Sequence, residues 1–596
     1  MLTSFFYEVK AMKVRASVQA VLAICAMPLL LAACGGGSST VTTPVTPATT
    51  PVPTTTPTAT ATPVVNAAPI EVKMLAINDF HGNLKPGGTV TIPDPADPTK
   101  TIKVAAGGSE YLATWLKTLK AKNPNNIIVS AGDLIGASPL LSALFHDEPT
   151  IEAMNEMGLE LNAVGNHEFD EGSTELLRMQ NGGCHPADGC KAGTTFGGAK
   201  FKFLAANVVD SKTGKTLFPE YQVKTFGGVK VAFIGMTLKN TPGIVTPSGV
   251  AGLTFKDEAD TVNALVPKLK AQGIESIVVL VHEGGTQLGG LNECKGVSGA
   301  IVDIVKRLDP AVDAIVSGHT HQAYNCQING KLITSANQYG RVISEIDLTL
   351  DPKTRDVIKS SAKNIVVSND VAKDVVQTAI ITKYDALVTP LENRIVGTIA
   401  GSLLKATNAS GESTLGDVIA DSQLAATTPA NLGAAQIAFM NPGGVRADLI
   451  PVAAQVSYGQ LFTVQPFGNT LVSMTLNGAQ IKEMLEQQFM GYSNNQPFNR
   501  ILLVSNGFSY SWDSTLAAGQ KVDAANIKLN GVAISSVLNY RVTVNNYLAS
   551  GGDGFTVLTQ GTNILGGAQD VDAFEAYIKA NPNLAVPTLN RVVKIK

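Results

Sequence analysis

Five of the seven histidines in this 596-residue chain fall in four short motifs that also carry Asp, Asn and Gly. They read Asn78-Asp79-Phe80-His81-Gly82, Gly165-Asn166-His167-Glu168-Phe169-Asp170, Val281-His282-Glu283 and Gly318-His319-Thr320-His321; a fifth loop, Gly132-Asp133, has no histidine. Such side chains bind divalent cations, and this mixture of imidazole and carboxylate suits zinc, manganese or iron. Asp133 is fitted to bridge two cations, because a carboxylate offers two oxygens and a charge to offset them. Asp79 and His81 occupy alternate positions of one loop and can turn to the same cation. Asn166 offers a neutral oxygen that adds no negative charge near an incoming phosphate. His282, His319 and His321 complete the expected set. Two cations held together lower the pKa of a bound water and polarise phosphoryl oxygens for in-line attack. His167 stands one residue past a ligand and reads as a cleft residue that binds no metal. It would give a hydrogen bond or a proton to the leaving oxygen, with Asp170 orienting its ring and favouring its charged form. His146 and His185 lie away from these motifs and read as surface or core residues.

Short apolar runs must position these loops. Val72–Ile77 leads into Asp79 and His81, Ile127–Ser130 into Asp133, Leu161–Val164 into Asn166, Ile277–Val281 into His282, and Ala314–Val316 into His319. Runs rich in Val, Ile and Leu read as buried strands, and helical patterns such as Tyr111–Leu119 and Val262–Leu269 separate several of them. In open α/β sheets, sites gather where loops leave the carboxyl ends of strands. All five motifs stand at such positions.

These features place a catalytic α/β domain at residues 68–370, followed by a helical bridge over 371–395. A second α/β region, 396–596, has expected helices at Thr414–Ala425 and Ala479–Gln488 and strands at Gln436–Met440, Leu471–Leu476 and Arg541–Val544. In it, Asn441-Pro442-Gly443-Gly444-Val445-Arg446 is a glycine turn whose Gly444 lets an amide and the Arg446 guanidinium approach a ligand together. Phe467 and Tyr547 stand in glycine-containing loops where rings can clamp a planar base, and Asp553, in Gly551-Gly552-Asp553-Gly554, can accept from a ribose.

The chain opens with a targeting pattern. Lys10, Lys13 and Arg15 precede an apolar run, Val18 to Ala33, too short for a membrane span, and Met12 offers an alternative start. Leu31-Ala32-Ala33-Cys34-Gly35 looks like a bacterial lipobox, which makes residues 1–34 a lipoprotein signal and Cys34 the lipidated residue. Residues 35–67, rich in Thr and Pro, read as a disordered tether. Gly35 lacks the acidic character tied to inner-membrane retention, so the outer membrane or periplasm is the expected destination. Four further cysteines in an exported chain suggest the disulfides Cys184–Cys190 and Cys294–Cys326; zinc binding is the rival, although the spacing is unlike a zinc ribbon. The balance of 45 basic and 48 acidic residues argues against a nucleic-acid-binding surface. Oligomeric state has no signature.

In order, Asn-Asp-Phe-His-Gly, Gly-Asp-Leu, Gly-Asn-His-Glu-Phe-Asp, the isolated His-Glu and Gly-His-Thr-His resemble the calcineurin-like metallophosphatase domain of bacterial 5′-nucleotidases. The later segments are similar to the C-terminal 5′-nucleotidase domain. The resemblance implies a two-metal metallophosphoesterase sandwich joined to a C-terminal α/β substrate-binding domain. One metal would take Asp79, His81, Asp133 and His321; the other would take Asp133, Asn166, His282 and His319. His167 and Asp170 would be the catalytic pair, Phe467 and Tyr547 would stack a nucleobase, Asn441 and Arg446 would lie near phosphate or ribose, and Asp553 on the ribose. The implied activity is hydrolysis of nucleoside 5′-monophosphates through a dimetal-activated hydroxide. A 2′,3′-cyclic nucleotide phosphodiesterase or a UDP-sugar hydrolase is the alternative, and a non-catalytic surface binding lipoprotein stands third. In Glu412-Ser413-Thr414-Leu415-Gly416-Asp417 many nucleotidases have an arginine just before the Glu; here it is Gly411. Tyr547 stands where Phe is commoner.

Overall fold

The structure, a computed structural model, describes residues 68–596 apart from Pro98 and Asn495; the signal segment, Cys34 and the tether lie outside the described residues. Two six-stranded sheets dominate the first half. One has the order Val357–Val366, Val342–Leu350, Ile70–Ile77, Asn126–Ser130, Leu161–Ala163, Lys202–Leu204, and the other Ala323–Ile328, Lys331–Ala336, Ala314–Ser317, Ser276–His282, Val229–Thr237, Tyr221–Phe226. The strands carrying the motifs pair in parallel: Ile70–Ile77 with Asn126–Ser130 and that with Leu161–Ala163, and Ser276–His282 with Ala314–Ser317.

Their apolar runs are unbroken because both faces of each strand are buried. Along Ile70–Ile77, Val72, Met74 and Ala76 enter the core between the sheets, whereas Leu75 and Ile77 pack under an outer helical layer. Along Ser276–His282, Val278 and Leu280 face the shared core and Ile277, Val279 and Val281 face the opposite helices. This two-residue period makes a four-layer sandwich, and at about 25 cal/mol per Å² of apolar surface it is the main stabilising term. Ser109–Lys120 and Glu258–Ala271 are the helices at the expected positions.

The helix Val375–Glu392, capped by the Asp374 carboxylate accepting from the Val376 and Gln377 amides, packs Ile381, Tyr384 and Val388 into the first core. Beyond it, a five-stranded sheet has the order Leu503–Val504, Ile437–Met440, Asn539–Asn545, Thr470–Asn477, Thr562–Gln569. Helices Thr414–Thr427 and Asp570–Ala580 cover one face through Leu415, Ile419, Val571 and Phe574; Gly478–Glu486 covers the other through Ile481 and Met484. Both disulfides, Cys184–Cys190 and Cys294–Cys326, are formed. Among the described residues no helix is long and apolar enough to cross a membrane.

Candidate active site

All five motif loops leave the carboxyl ends of strands, three from one sheet and two from the other, so they meet at one edge of the sandwich. The loops turn abruptly. Asp79, His81, Asp133, His319 and His321 have φ of 50°, 47°, 50°, 69° and 56°, the left-handed region that non-glycine residues seldom occupy. Each such residue costs about 1–3 kcal/mol unless its surroundings enforce it, and such strain gathers at functional sites. Here backbone bonds enforce it. Asp79 N–H donates to the Gly132 carbonyl, His81 N–H to Asp133 and Gly82 N–H to Leu134, each at 3.0 Å.

Glu168, not anticipated as functional from the sequence, ties the Asp133 loop to its own motif. One of its oxygens accepts from Asp133 N–H at 2.9 Å and Gly165 N–H at 2.6 Å; the other accepts from Leu134 N–H at 2.9 Å and Asn162 Nδ2 at 3.2 Å. Burial, then the neighbouring Asp133 charge, pushes its carboxyl up to about 7. At Gly165 a Cβ would lie 2.2 Å from Asp133 Oδ1, so only glycine lets the loops close this far.

Two ligand groups result. Asp79, His81 and His321 each offer an atom within 4.8 Å of the others, as do Asp133, His282 and His319. Asp133 Oδ2 lies between them, 2.9 Å from His282 Nε2 and 3.6 Å from His81 Nε2. His321 Nε2 is 3.2 Å from His81 Nε2 and 3.3 Å from Asp79 Oδ1. Behind the rings, His81 Nδ1 faces the Gly136 carbonyl at 2.9 Å and His282 Nδ1 the Ala131 carbonyl at 2.7 Å. Those carbonyls hold N–H on the outer nitrogen and leave the inner Nε2 lone pair for a cation. Asn166 Oδ1 is buried without a hydrogen-bond partner, which suits a metal ligand. Burial pushes His81 well below the usual imidazole range and, with the neighbouring His282, brings His319 to about 3. Burial opposes the charge on Asp133, yet the His282 and His167 rings hold it well below the usual carboxylate range. Burial opposes charge on His282 as well, but Asp133 raises it to about 10.

His167 stands apart from this set. Its Nδ1 lies 2.8 Å from Asp170 Oδ2, and its backbone N–H donates to Asp133 Oδ1 at 2.9 Å. Burial would neutralise the ring, but Asp170 and then Asp133 raise its pKa. The Phe467 ring lies nearly parallel to it, 17° apart with centroids 5.9 Å distant, so the second domain reaches the first at the His167–Asp170 pair.

Between the domains lies a cavity of about 230 Å³ lined by Asn166, His167, Asp170 and His319 on one side and by Asn441, Gly444, Arg446, Phe467, Tyr547 and Asp553 on the other. Every residue singled out on the second domain thus reaches it. The Arg446 guanidinium sits 5.7 Å from the Phe467 centroid. Asp553 is already engaged: it accepts from Asn441 Nδ2 at 3.0 Å and the Tyr547 hydroxyl at 2.9 Å. Burial and that carboxylate push the Tyr547 phenol well above its ordinary range.

Two further lining residues were not foreseen, Arg500 and the 58 % exposed Phe498, whose ring lies 4.7 Å under the guanidinium. Arg500 Nη1 is 3.3 Å from Asp553 Oδ1 and donates to Gln496 Oε1 at 3.1 Å. No local pattern marks Arg500, whose loop is held at the cavity by bonds to distant residues, among them Arg500 N–H to the Gln488 carbonyl and Leu502 N–H to Gln488 Oε1, and by the packing of Ile501. That packing also accounts for Gly411, where φ is 91° and a Cβ would lie 2.6 Å from the Ile501 Cβ. Finally, His146 and His185 are not isolated residues, as the sequence suggested. Their rings stack on each other 3.9 Å apart, brought together from separate loops by the chain's tertiary path.

Residues 72–323 match the family described as calcineurin-like phosphoesterase, and residues 395–560 match the 5′-nucleotidase C-terminal domain. Endonuclease YhcR of Bacillus subtilis is 34% identical over 514 residues, covering 86% of this chain and 40% of its own. The chain therefore spans about two fifths of that relative's length. Cell wall protein Lmo0130 of Listeria monocytogenes is 30% identical over 548 residues, covering 86% of this chain and 67% of its own. The crystal structure of a 5′-nucleotidase precursor from Thermus thermophilus superposes with a TM-score of 0.69 at 27% identity, over 88% of this chain and all of that one.

Proposed function

From the premise that this chain belongs to the calcineurin-like phosphoesterases carrying a 5′-nucleotidase C-terminal domain, and is thus a phosphohydrolase, we propose that it hydrolyses nucleoside 5′-monophosphates to nucleoside and phosphate. The observation that carries the reading is the single cavity in which His167 and Asp170 face Arg446, Phe467 and Tyr547. Asp79, His81, Asp133 and His321 would hold one divalent cation, and Asp133, Asn166, His282 and His319 a second. When bound, these cations supply an activated water and draw charge from the phosphoryl oxygens. The chain's own groups do the rest. Arg446 forks onto the phosphate. His167, kept protonated by Asp170, gives its proton to the departing ribose oxygen. Phe467 and Tyr547 hold the base, Asn441 and Asp553 the ribose. Arg500 adds a second guanidinium to the cavity lining.

A second reading, phosphodiester or pyrophosphate substrates such as 2′,3′-cyclic nucleotides or UDP-sugars, is favoured by Gly411, which removes a contact that monophosphate hydrolysis uses in many relatives. The two disulfides and the Listeria relative named as a cell wall protein support export to the envelope, with Cys34 as lipid anchor and residues 1–34 as its signal. The test is a phosphate-release panel with manganese or zinc across AMP, GMP, UMP, UDP-glucose, 2′,3′-cyclic AMP and single-stranded DNA. Monophosphates should turn over fastest. His167→Ala should lower kcat by about 10²–10⁴-fold with metal content unchanged. Intact monophosphates with metal bound would refute the proposal.

A further inference from the structure

Outside the active site, two imidazoles and three carboxylates converge. His146 and His185 stack 11° from parallel, with Glu171, Glu175 and Asp188 around them. His185 and Asp188 stand on the loop closed by Cys184–Cys190, inside which His185 N–H and Gly189 N–H each donate to the other's carbonyl, at 3.2 and 2.9 Å. One ligand atom from each of His146, His185 and Asp188 lies within 4.8 Å of the other two.

The contacts give each ring a direction. His146 Nδ1 is 2.7 Å from Glu171 Oε2, and its Nε2 is 3.1 Å from Asp188 Oδ2. His185 Nδ1 accepts from the Asp188 backbone N–H at 3.1 Å, and its Nε2 is 4.0 Å from Glu175 Oε2. Each ring thus turns one nitrogen toward Asp188 and the other toward a glutamate. A carboxylate behind an imidazole fixes the N–H there and leaves the opposite lone pair for a metal. Lys191 Nζ, 2.5 Å from Asp188 Oδ2, already brings a positive charge to that carboxylate.

We propose that His146 Nε2, His185 Nδ1 and Asp188 form a site for a single zinc-type divalent cation, separate from the ligands around Asp133. Two imidazoles and a carboxylate make a three-ligand zinc site with the fourth position open to water. Parallel rings project parallel lone pairs, so binding tilts His185 off the stack, breaks its contact with the Asp188 N–H and displaces Lys191. The movable part is the disulfide-closed loop; His146 stays on its own segment. A cavity of about 70 Å³ reaches from His146 and Glu171 to His167, Asp170 and Phe467. A cation here would clamp the 184–190 loop to the segment of His146, whose Nδ1 contacts Glu171 beside Asp170.

The test is zinc content and zinc affinity of the full chain, by atomic emission after dialysis and by calorimetric titration. The wild type should hold one zinc more per chain than His146→Ala or Asp188→Asn. Glu171→Gln should weaken that extra site roughly 10–100-fold, as loss of an orienting carboxylate does. Lys191→Ala should tighten it, a gain that damage to the fold would not produce. Asp188 is exposed, so Asp188→Asn carries the comparison if His146→Ala does not fold. Equal zinc content in wild type and Asp188→Asn would overturn the proposal and leave the cluster as an ion-paired histidine stack.

Discussion

Replacing Glu168 by Gln changes one atom at the junction of two motif loops, its own and the one that carries Asp133. Glu168 accepts four hydrogen bonds, three of them from the backbone amides of Asp133, Leu134 and Gly165, and it is 3% exposed, so water cannot take its place. Glutamine keeps one acceptor oxygen. If the oxygen stays with Asp133 and Gly165, the new NH₂ confronts Leu134 N–H and the Asn162 amide. Asn162 cannot flip without cost, because its Oδ1 accepts from Gly132 N–H at 3.2 Å. The opposite orientation strands two backbone donors instead. At about 1–3 kcal/mol for each buried donor left unpaired, the loss of stability is about 2–4 kcal/mol. The displaced loops carry Asp133 and Asn166, so metal affinity falls with it. Urea unfolding of the metal-free protein reads the first effect, and manganese titration of Glu168→Gln against wild type reads the second. An unchanged urea midpoint with unchanged metal affinity would refute the bracing role and imply that the carboxyl already carries a proton in the native state.

Phe467→Ala should raise KM by about 5–150-fold, the value of one base–ring contact of about 1–3 kcal/mol, in steady-state kinetics with a nucleoside monophosphate. Gly411→Ala should lower stability by about 1–3 kcal/mol in thermal unfolding, because the added Cβ meets Ile501 and the backbone φ is 91°. Arg394, through its hydrogen bonds, and then Lys579 hold the Glu575 carboxyl down to about 2, against a burial that works the other way. A carboxylate depressed on folding stabilises above its unfolded pKa of about 4.3 and loses that stabilisation as pH falls toward 2. Solvent screening reduces the effect to about 1–2 kcal/mol, so Glu575→Gln should flatten the stability curve between pH 4.5 and 2 in acid unfolding, and an unchanged curve would contradict the pairing.

Local pattern carried far in this chain. Apolar runs such as Val72–Ile77 and Ile277–Val281 show buried strands by residue type alone, because strands covered on both faces admit no polar alternation. The loops that follow them advertise a metal centre because Asp, Asn and His beside glycine have few other uses at strand ends. What no local pattern holds is proximity between distant segments. Glu168 looks like a charged residue beside a histidine until the fold buries it among the amides of its own loop and of the loop that carries Asp133. Arg500 enters the cavity because its loop bonds to Gln488 and Asp553, and His146 meets His185 because a loop closed by a disulfide folds back across 39 residues of chain. Composition and period determined the sandwich and its ligand set, since both follow from what each residue buries or binds. Which braces hold the candidate ligands, which second guanidinium lines the cavity and which histidines find one another were decided by tertiary packing, because contacts between remote segments leave no trace in the spacing of either one.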